Sequence, residues 1–337
     1  LVDHGCKVIG KPLWTIPLLG IGIVLSFFWL ERLSEQRLSI NEPTLIMVEP
    51  GSNIIRLGQQ LIKSGQVKQP LWQLRLLDRF FGSDAPIKAG EYQVKPGAKV
   101  LAFFEQLRSG QAYTRKLTFP EGWTLAQWRT QLQAAEGLRP VTNRMTETEL
   151  AVAVTGTANP LEGWLLPETY LYTRGDSDLK ILKQSHRAMQ KQLDLLWKTH
   201  PHQDLQNPTA LLTLASIVER ESGSNEDRSK IARVFLNRLK KGMRLQSDPT
   251  VIYGLGVAFD GDLKRRHLTS DGPFNSYTRA GLPPTPICNP GASALAAVLT
   301  PAEGDWLYFV GRGDGSSQFS LDLTAHNRAV NRYQRGK

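Results

Sequence analysis

Apolar positions along this chain follow three patterns. The first is an unbroken run: Pro12 to Leu30, PLWTIPLLGIGIVLSFFWL, holds 19 residues and no charged side chain. At about 1.5 Å per helical residue it reaches roughly 28 Å, close to the ~30 Å hydrocarbon thickness of a bilayer. Trp14 and Trp29 stand near its ends, where indole rings favour the interface. The second pattern is an apolar β-prone stretch, a Pro/Gly turn and a helix-period run. TLIMVEPGSNIIRLGQQLIKSG and GEYQVKPGAKVLAFFEQLRSG follow it, and RKLTFPEGWTLAQWRTQLQ does so more loosely. Ile54, Ile55, Leu57, Leu61 and Ile62 predict one helical stripe stopped by Gly65; Val100, Leu101, Phe104 and Leu107 predict another before Gly110. The third pattern begins at Leu211. LLTLASIVERES, 211 to 222, places Leu211, Leu214, Ala215 and Val218 at helical spacing. A second helix follows, apolar at Ile231, Val234, Phe235 and Leu239, ending at Gly242 after the Lys240-Lys241 pair.

These patterns predict an α+β protein with a tail at 1–11, an anchor at 12–30, a polar linker at 31–43, a small α+β module at 44–113, a connecting and mainly helical region at 114–205, and a last domain at 206–337. Unequal spacing of Pro50, Pro96 and Pro120 argues against a regular solenoid. For residues 12–30 a buried core helix and a cleaved signal peptide are the alternatives. A helix with no polar face suits a core poorly this close to a terminus, and Glu-Arg-Leu-Ser-Glu-Gln-Arg follows the run where a small-x-small cleavage site would stand. We read an uncleaved single-pass anchor. Lys7 and Lys11 precede it, so the positive-inside bias leaves the tail in the cytoplasm and about 300 residues outside.

Composition narrows the classes. With 337 residues, 41% hydrophobic and 21% charged, the chain is neither disordered nor a disulfide scaffold. Lys+Arg 41 against Asp+Glu 31 leaves +10, which favours anionic surroundings without choosing among lipid, nucleic acid and charged polymer. Basic residues are dispersed and no zinc spacing or RNP-like motif occurs, so nucleic acid is not an expected partner. Cys6 and Cys288, on opposite sides of the anchor, form neither a bridge nor a metal site. Cys288 reads as a small buried apolar residue.

Residues capable of chemistry cluster after Leu211. At about 100° per residue, Glu221 projects roughly 65° from the centre of the apolar side of its helix and Glu219 about 95°, which makes Glu221 the more buried of the two. A carboxyl desolvated against apolar neighbours has a raised pKa and can serve as a general acid near neutrality. An ordinary Glu-x-Glu is more often a solvated helix end, and the residues alone leave that open. Asp248, before Pro249, is a turn former first. Gln246, Asn275 and Tyr277 offer donors and acceptors of the kind that hold sugar hydroxyls. In LEGWLLPETYLYT, 161 to 173, Trp164, Glu168 and Tyr170 either line a cleft or pack in a buried extended segment around Pro167; we read packing.

ASIVERES, NRLKKGMRLQSDPTVIYG, FNSYTRAGLPPTPICNPG, LYFVGRGDG and the His326-Asn327 pair together resemble the YceG/MltG family of membrane-anchored endolytic murein transglycosylases. The resemblance covers nearly the whole chain. It implies a transmembrane helix, a LysM-like module at 44–113 and a lysozyme-like catalytic domain. The family's catalytic acid, the second glutamate of its helix, falls on Glu221. Ser222, where the family often has Thr, becomes a possible helper, and Gln246, Asp248, Tyr253, Asn275, Tyr277 and Glu168 become substrate-binding candidates.

The implied reaction cuts the β-1,4 bond between N-acetylmuramic acid and N-acetylglucosamine of nascent glycan strands and leaves 1,6-anhydro ends. One carboxyl suffices because the nucleophile belongs to the substrate. An ordinary glycosidase would need a second carboxyl about 5–5.5 Å away if retaining or roughly 6.5–9.5 Å if inverting, and Glu219 and Asp248 are weak candidates. No metal or cofactor is expected. The expected setting is the outer side of the bacterial plasma membrane, beside peptidoglycan strands and, by inheritance from the family, peptidoglycan synthases. Two other readings are weighed: a non-catalytic peptidoglycan-binding protein and a hydrolytic muramidase.

Overall fold

The computed structural model describes residue 25, residues 28–199 and residues 205–336, apart from the side chain of Asn225. The tail and nearly all of the 12–30 run lie outside the described residues, as does Cys6. Among the described residues no helix is long and apolar enough to cross a membrane. Contacts divide the chain into two compact units, 1–114 and 115–337.

In the first unit the expected strand, turn and helix occur twice, around a helix that the sequence patterns did not predict. The order is β1 (Thr44–Val48), α1 (Ile54–Lys63), α2 (Leu71–Phe81), β2 (Gly90–Val94) and α3 (Val100–Ser109). Strands β1 and β2 pair antiparallel, Thr44 opposite Val94 and Val48 opposite Gly90. Strand alternation sends Ile46 and Val48 inward and Leu45 and Met47 outward. The core joins Ile46, Leu57, Leu61, Tyr92, Phe104 and Leu107. Of the expected α1 stripe, Ile54, Leu57 and Leu61 are buried, whereas Ile55 faces out. Asn53 caps α1 by accepting from Arg56 N–H, and Gly110 ends α3 in the left-handed conformation at φ 77°.

The second unit runs β3 (Thr114–Thr118), α4 (Leu125–Ala134), α5 (Glu147–Thr155), β4 (Thr169–Thr173), α6 (Asp178–Thr199), α7 (Pro208–Glu221), α8 (Asn225–Lys240), α9 (Asp248–Leu255), α10 (Arg265–Thr269), α11 (Ala292–Leu299), β5 (Tyr308–Gly311), β6 (Ser317–Ser320) and α12 (Leu323–Val330). β3 pairs with β4, and β5 with β6 in an antiparallel hairpin. One core surrounds Trp128, whose ring stacks on Phe119 at 3.6 Å with Tyr170 tilted against both. The other surrounds α7, buried at every position from Leu211 to Val218 and packed against α8 and α11. Capping boxes start α4 at Thr124 and α5 at Thr146. Tyr170 is buried and Trp164 partly buried between the two cores, so the 161–173 segment is a packing element. Cys288 is fully buried, as expected.

Gly163 joins this segment to the rest of the unit. Its φ is 83°, and a Cβ there would stand 2.3 Å from Pro286 Cβ. Backbone strain and overpacking each cost about 1–3 kcal/mol. Gly163→Ala should therefore lower unfolding stability by roughly 2–4 kcal/mol in urea titration, with the slope unchanged. A loss below about 0.5 kcal/mol would contradict the close approach to Pro286.

Candidate active site

Asn207 and Pro208 start α7: the Asn207 side chain accepts from Ala210 N–H, and proline fits the first turn. Eight successive buried residues then fix the helix and leave its last turn at the edge of the core. Glu221 is the last helical residue and is half-buried. Ser247 Oγ donates to its Oε1 at 2.5 Å. That hydroxyl is itself held firmly. Ser247 is buried; its N–H donates to Ser276 Oγ at 2.9 Å, and its carbonyl accepts from Thr250 Oγ1 at 2.7 Å. Just before it, Gln246 has φ 49°, the one non-glycine positive φ among the described residues. The turn runs between Leu245, whose carbonyl accepts from Arg238 Nη1 at 2.7 Å, and Ser247. A left-handed non-glycine residue costs about 1–2 kcal/mol.

Burial pushes the Glu221 carboxyl above its ordinary pKa. The Ser247 bond opposes that, the Asp248 charge adds to it, and the Arg238 charge opposes it. Arg238 is buried over the Tyr308 ring at 5.1 Å, and His326 stacks on the other member of that pair, Tyr308, at 5.2 Å. The His326 Nδ1 is enclosed with no hydrogen-bond partner among the described residues.

The sequence candidates divide into those near Glu221 and those employed elsewhere. Asp248 is exposed in the first turn of α9, and its Oδ1 accepts from Tyr277 OH at 2.6 Å. Burial and Asp248 both push the Tyr277 phenol up, so it remains a donor. Gln246 is exposed beside them. Asn275 is not free to hold a sugar: its Nδ2 donates to the carbonyls of His267, Leu268 and Ser270, and its Oδ1 accepts from Tyr277 N–H. It locks the loop that carries Tyr277. Ser222 spends its hydroxyl proton on the Val218 carbonyl of its own helix. Tyr253 packs edge-on against Phe274, and its OH donates to Glu162 Oε2 at 3.3 Å. Glu168 is exposed beside β4, its carbonyl accepting from Phe119 N–H in the β3–β4 pairing.

Glu219 is not a solvated helix end: its side chain is 6% exposed, ion-paired to Arg228 at 3.2 Å and accepting from Gly291 N–H at 3.0 Å. Helix periodicity alone could not show that α8 and the start of α11 close over it. Glu162, Ser247, Ser276 and Arg238 were not singled out from sequence, although the serines stand inside RLQSDPT and FNSYT. Glu162 is buried; it accepts from Leu125 N–H, Asn289 Nδ2 and Tyr253 OH. It lines a cavity of about 520 Å³ whose wall also includes Arg220 and Pro249, the neighbours of Glu221 and Asp248. Among the described residues no cluster of His, Cys, Asp and Glu could hold a metal.

Comparison with known proteins matches residues 46–332 to the YceG-like family. A protein of Bacillus subtilis named endolytic murein transglycosylase is 33% identical over 325 residues, 90% of this chain and 86% of its own. One of the same name from Streptococcus pneumoniae is 29% identical, with 84% of this chain aligned to 57% of its length. A crystal structure of a YceG-like protein from Listeria monocytogenes superposes with a TM-score of 0.51 at 28% identity, covering 85% of this chain and 99% of that one.

Burial lifts the Glu162 carboxyl from an ordinary 4.5 to about 7, against the pull of its donors. The folded chain then keeps this proton to higher pH than the unfolded one. Stability therefore falls as pH rises from about 4.5 to 7 and levels off above. Urea unfolding of wild type and Glu162→Gln across that range should show the decline reduced in the variant by on the order of 3 kcal/mol. Parallel profiles would refute the assignment.

Proposed function

We propose, because this chain belongs to the YceG-like family, that it is an endolytic murein transglycosylase in which Glu221 serves as both acid and base. The observation that carries the reading is the half-buried Glu221 carboxyl held by Ser247 Oγ, with Glu219 engaged by Arg228 and Gly291. Burial favours the neutral carboxyl, which protonates the glycosidic oxygen as the bond from that oxygen to muramoyl C1 breaks. The carboxylate left behind is stabilised by the Ser247 hydroxyl and the Arg238 charge. It takes the proton of the muramoyl C6 hydroxyl as that oxygen bonds to C1. The products are a 1,6-anhydro end and a free hydroxyl on the leaving strand, and Glu221 is again protonated. No water is consumed.

Asp248, Tyr277 and Gln246 are the side chains we assign to the sugar hydroxyls, since they are the ones left outward beside Glu221. The strand, helix, helix, strand order over residues 44–94 supports reading the first unit as LysM-like. The 12–30 run supports a single-pass anchor, with the bulk of the chain on the outer side of the plasma membrane. Synthases that extend glycan strands are the partners this setting suggests.

Glu221→Gln should lower the rate on purified glycan strands by roughly 10²–10⁴-fold while strand binding persists. In wild-type digests, mass spectrometry should find fragments lacking the water that a hydrolase adds; products carrying it would identify a muramidase. A second prediction concerns pH. Loss of a required acid makes kcat/KM fall as pH rises through the Glu221 pKa. Asp248 holds that pKa up, so Asp248→Asn should move the falling limb to lower pH. A limb that stays put or moves upward would show that the limb belongs to another group.

A further inference from the structure

Helix α2, LWQLRLLDRFF, has two apolar sides. Leu74 and Leu77 are wholly buried in the first unit, yet Trp72 and Phe80 are 52% and 60% exposed. Arg75 and Arg79 are exposed between Trp72 and Phe80 in sequence, while Leu76 packs partly against the core, so the outward side of the helix carries two aromatic rings and two guanidinium groups. A single exposed aromatic residue is ordinary; two on one helix side, set beside two exposed arginines, mark an interaction surface. Trp29, one residue before the end of the charge-free run, stacks on Trp72 with centroids 6.0 Å apart and planes at 8°. Arg75 and Arg79 also line an open groove of about 570 Å³ together with Arg108. Of the acids there, Asp78 is already bonded by Arg108, which leaves Asp84 against the two outer arginines.

We infer that this face of α2 lies on an anionic lipid surface, with Trp72 and Phe80 at headgroup depth and Arg75 and Arg79 on the phosphates. The inference rests on the reading of residues 12–30 as an anchor. Three observations choose lipid as the occupant. The apolar run ends next to the ring that packs on Trp72, so an inserted anchor brings α2 to the bilayer edge. Aromatic rings and arginines together on one helix side match the apolar and charged layers of that edge. The excess positive charge complements anionic headgroups, whereas a second copy of the chain would present the same charges and repel. Contact at α2 would fix the orientation of the first unit on the membrane beyond what one flexible tether allows.

The test uses the full chain carrying Cys6→Ser and a nitroxide at Ser83→Cys, an exposed position just past α2 that leaves those four side chains intact. Buried Cys288 is shielded from the label. The protein is reconstituted into vesicles of phosphatidylcholine mixed with phosphatidylglycerol. Flotation with the vesicles reports the anchor, and relaxation by an aqueous nickel chelate against oxygen reports the depth of the label. Protection from the chelate, reduced at least about threefold by Arg75→Glu with Arg79→Glu and by phosphatidylcholine alone, is the expected result. Protein that floats while the label stays as open to the chelate as one at exposed Glu105 overturns the inference and leaves the anchor standing. Failure to float overturns the anchor reading and this inference together. Protection equal in both lipids but relieved by soluble glycan strands would assign the face to glycan and overturn it as well.

Discussion

One hydrogen bond organises the candidate site of the second unit: the Ser247 hydroxyl on the Glu221 carboxyl. A carboxyl at a helix end beside an apolar core is costly to ionise. Left without a donor it would be a poor base; placed in open water it would be a poor acid. Ser247 moderates the cost of ionisation without abolishing it, and everything around Ser247 keeps that hydroxyl still. Its amide is tied to Ser276, its carbonyl to Thr250, and the carbonyl before the Gln246 turn to Arg238. Arg238 thus serves geometry and charge at once, holding the loop while opposing the burial of Glu221.

The site is built on the core rather than beside it. α7 provides both the centre of the larger hydrophobic cluster and the Glu221 carboxyl at its end, so repacking Leu214 or Val218 would move Glu221 as well as destabilise the unit. α9 works similarly. Asp248 at its start faces Tyr277, while Tyr253, about 1.4 turns on, reaches Glu162, a carboxyl that also meets the first amide of α4. Glu162 therefore links the 161–173 segment to α4, α9 and the approach to α11 through Asn289.

Local patterns in the sequence predicted elements well and their partners poorly. Gly65, Gly110 and Gly242 stand just past the helices they were expected to end, each at positive φ, because only the local backbone sets that requirement. β1 finds β2 across 40 residues and β3 finds β4 across a similar gap, and no periodicity carries such information. α2 escaped prediction because its apolar residues lie on both sides, which blurs the helical stripe. Glu221 was visible from spacing, but Glu219 is closed over by Arg228 and Gly291, which come from other elements. Asn275 shows the converse: an amide read as a sugar donor is consumed by carbonyls of its own loop, a role that depends on the backbone path and not on the residue type.

Each of the three sheets among the described residues has only two strands, of four or five residues. Every strand therefore has one side whose amides and carbonyls no neighbouring strand satisfies. Such a ribbon has little cooperative strength of its own, so the helices must hold it in shape. During folding, before they dock, these open edges invite pairing between chains, and their shortness is the main protection against it.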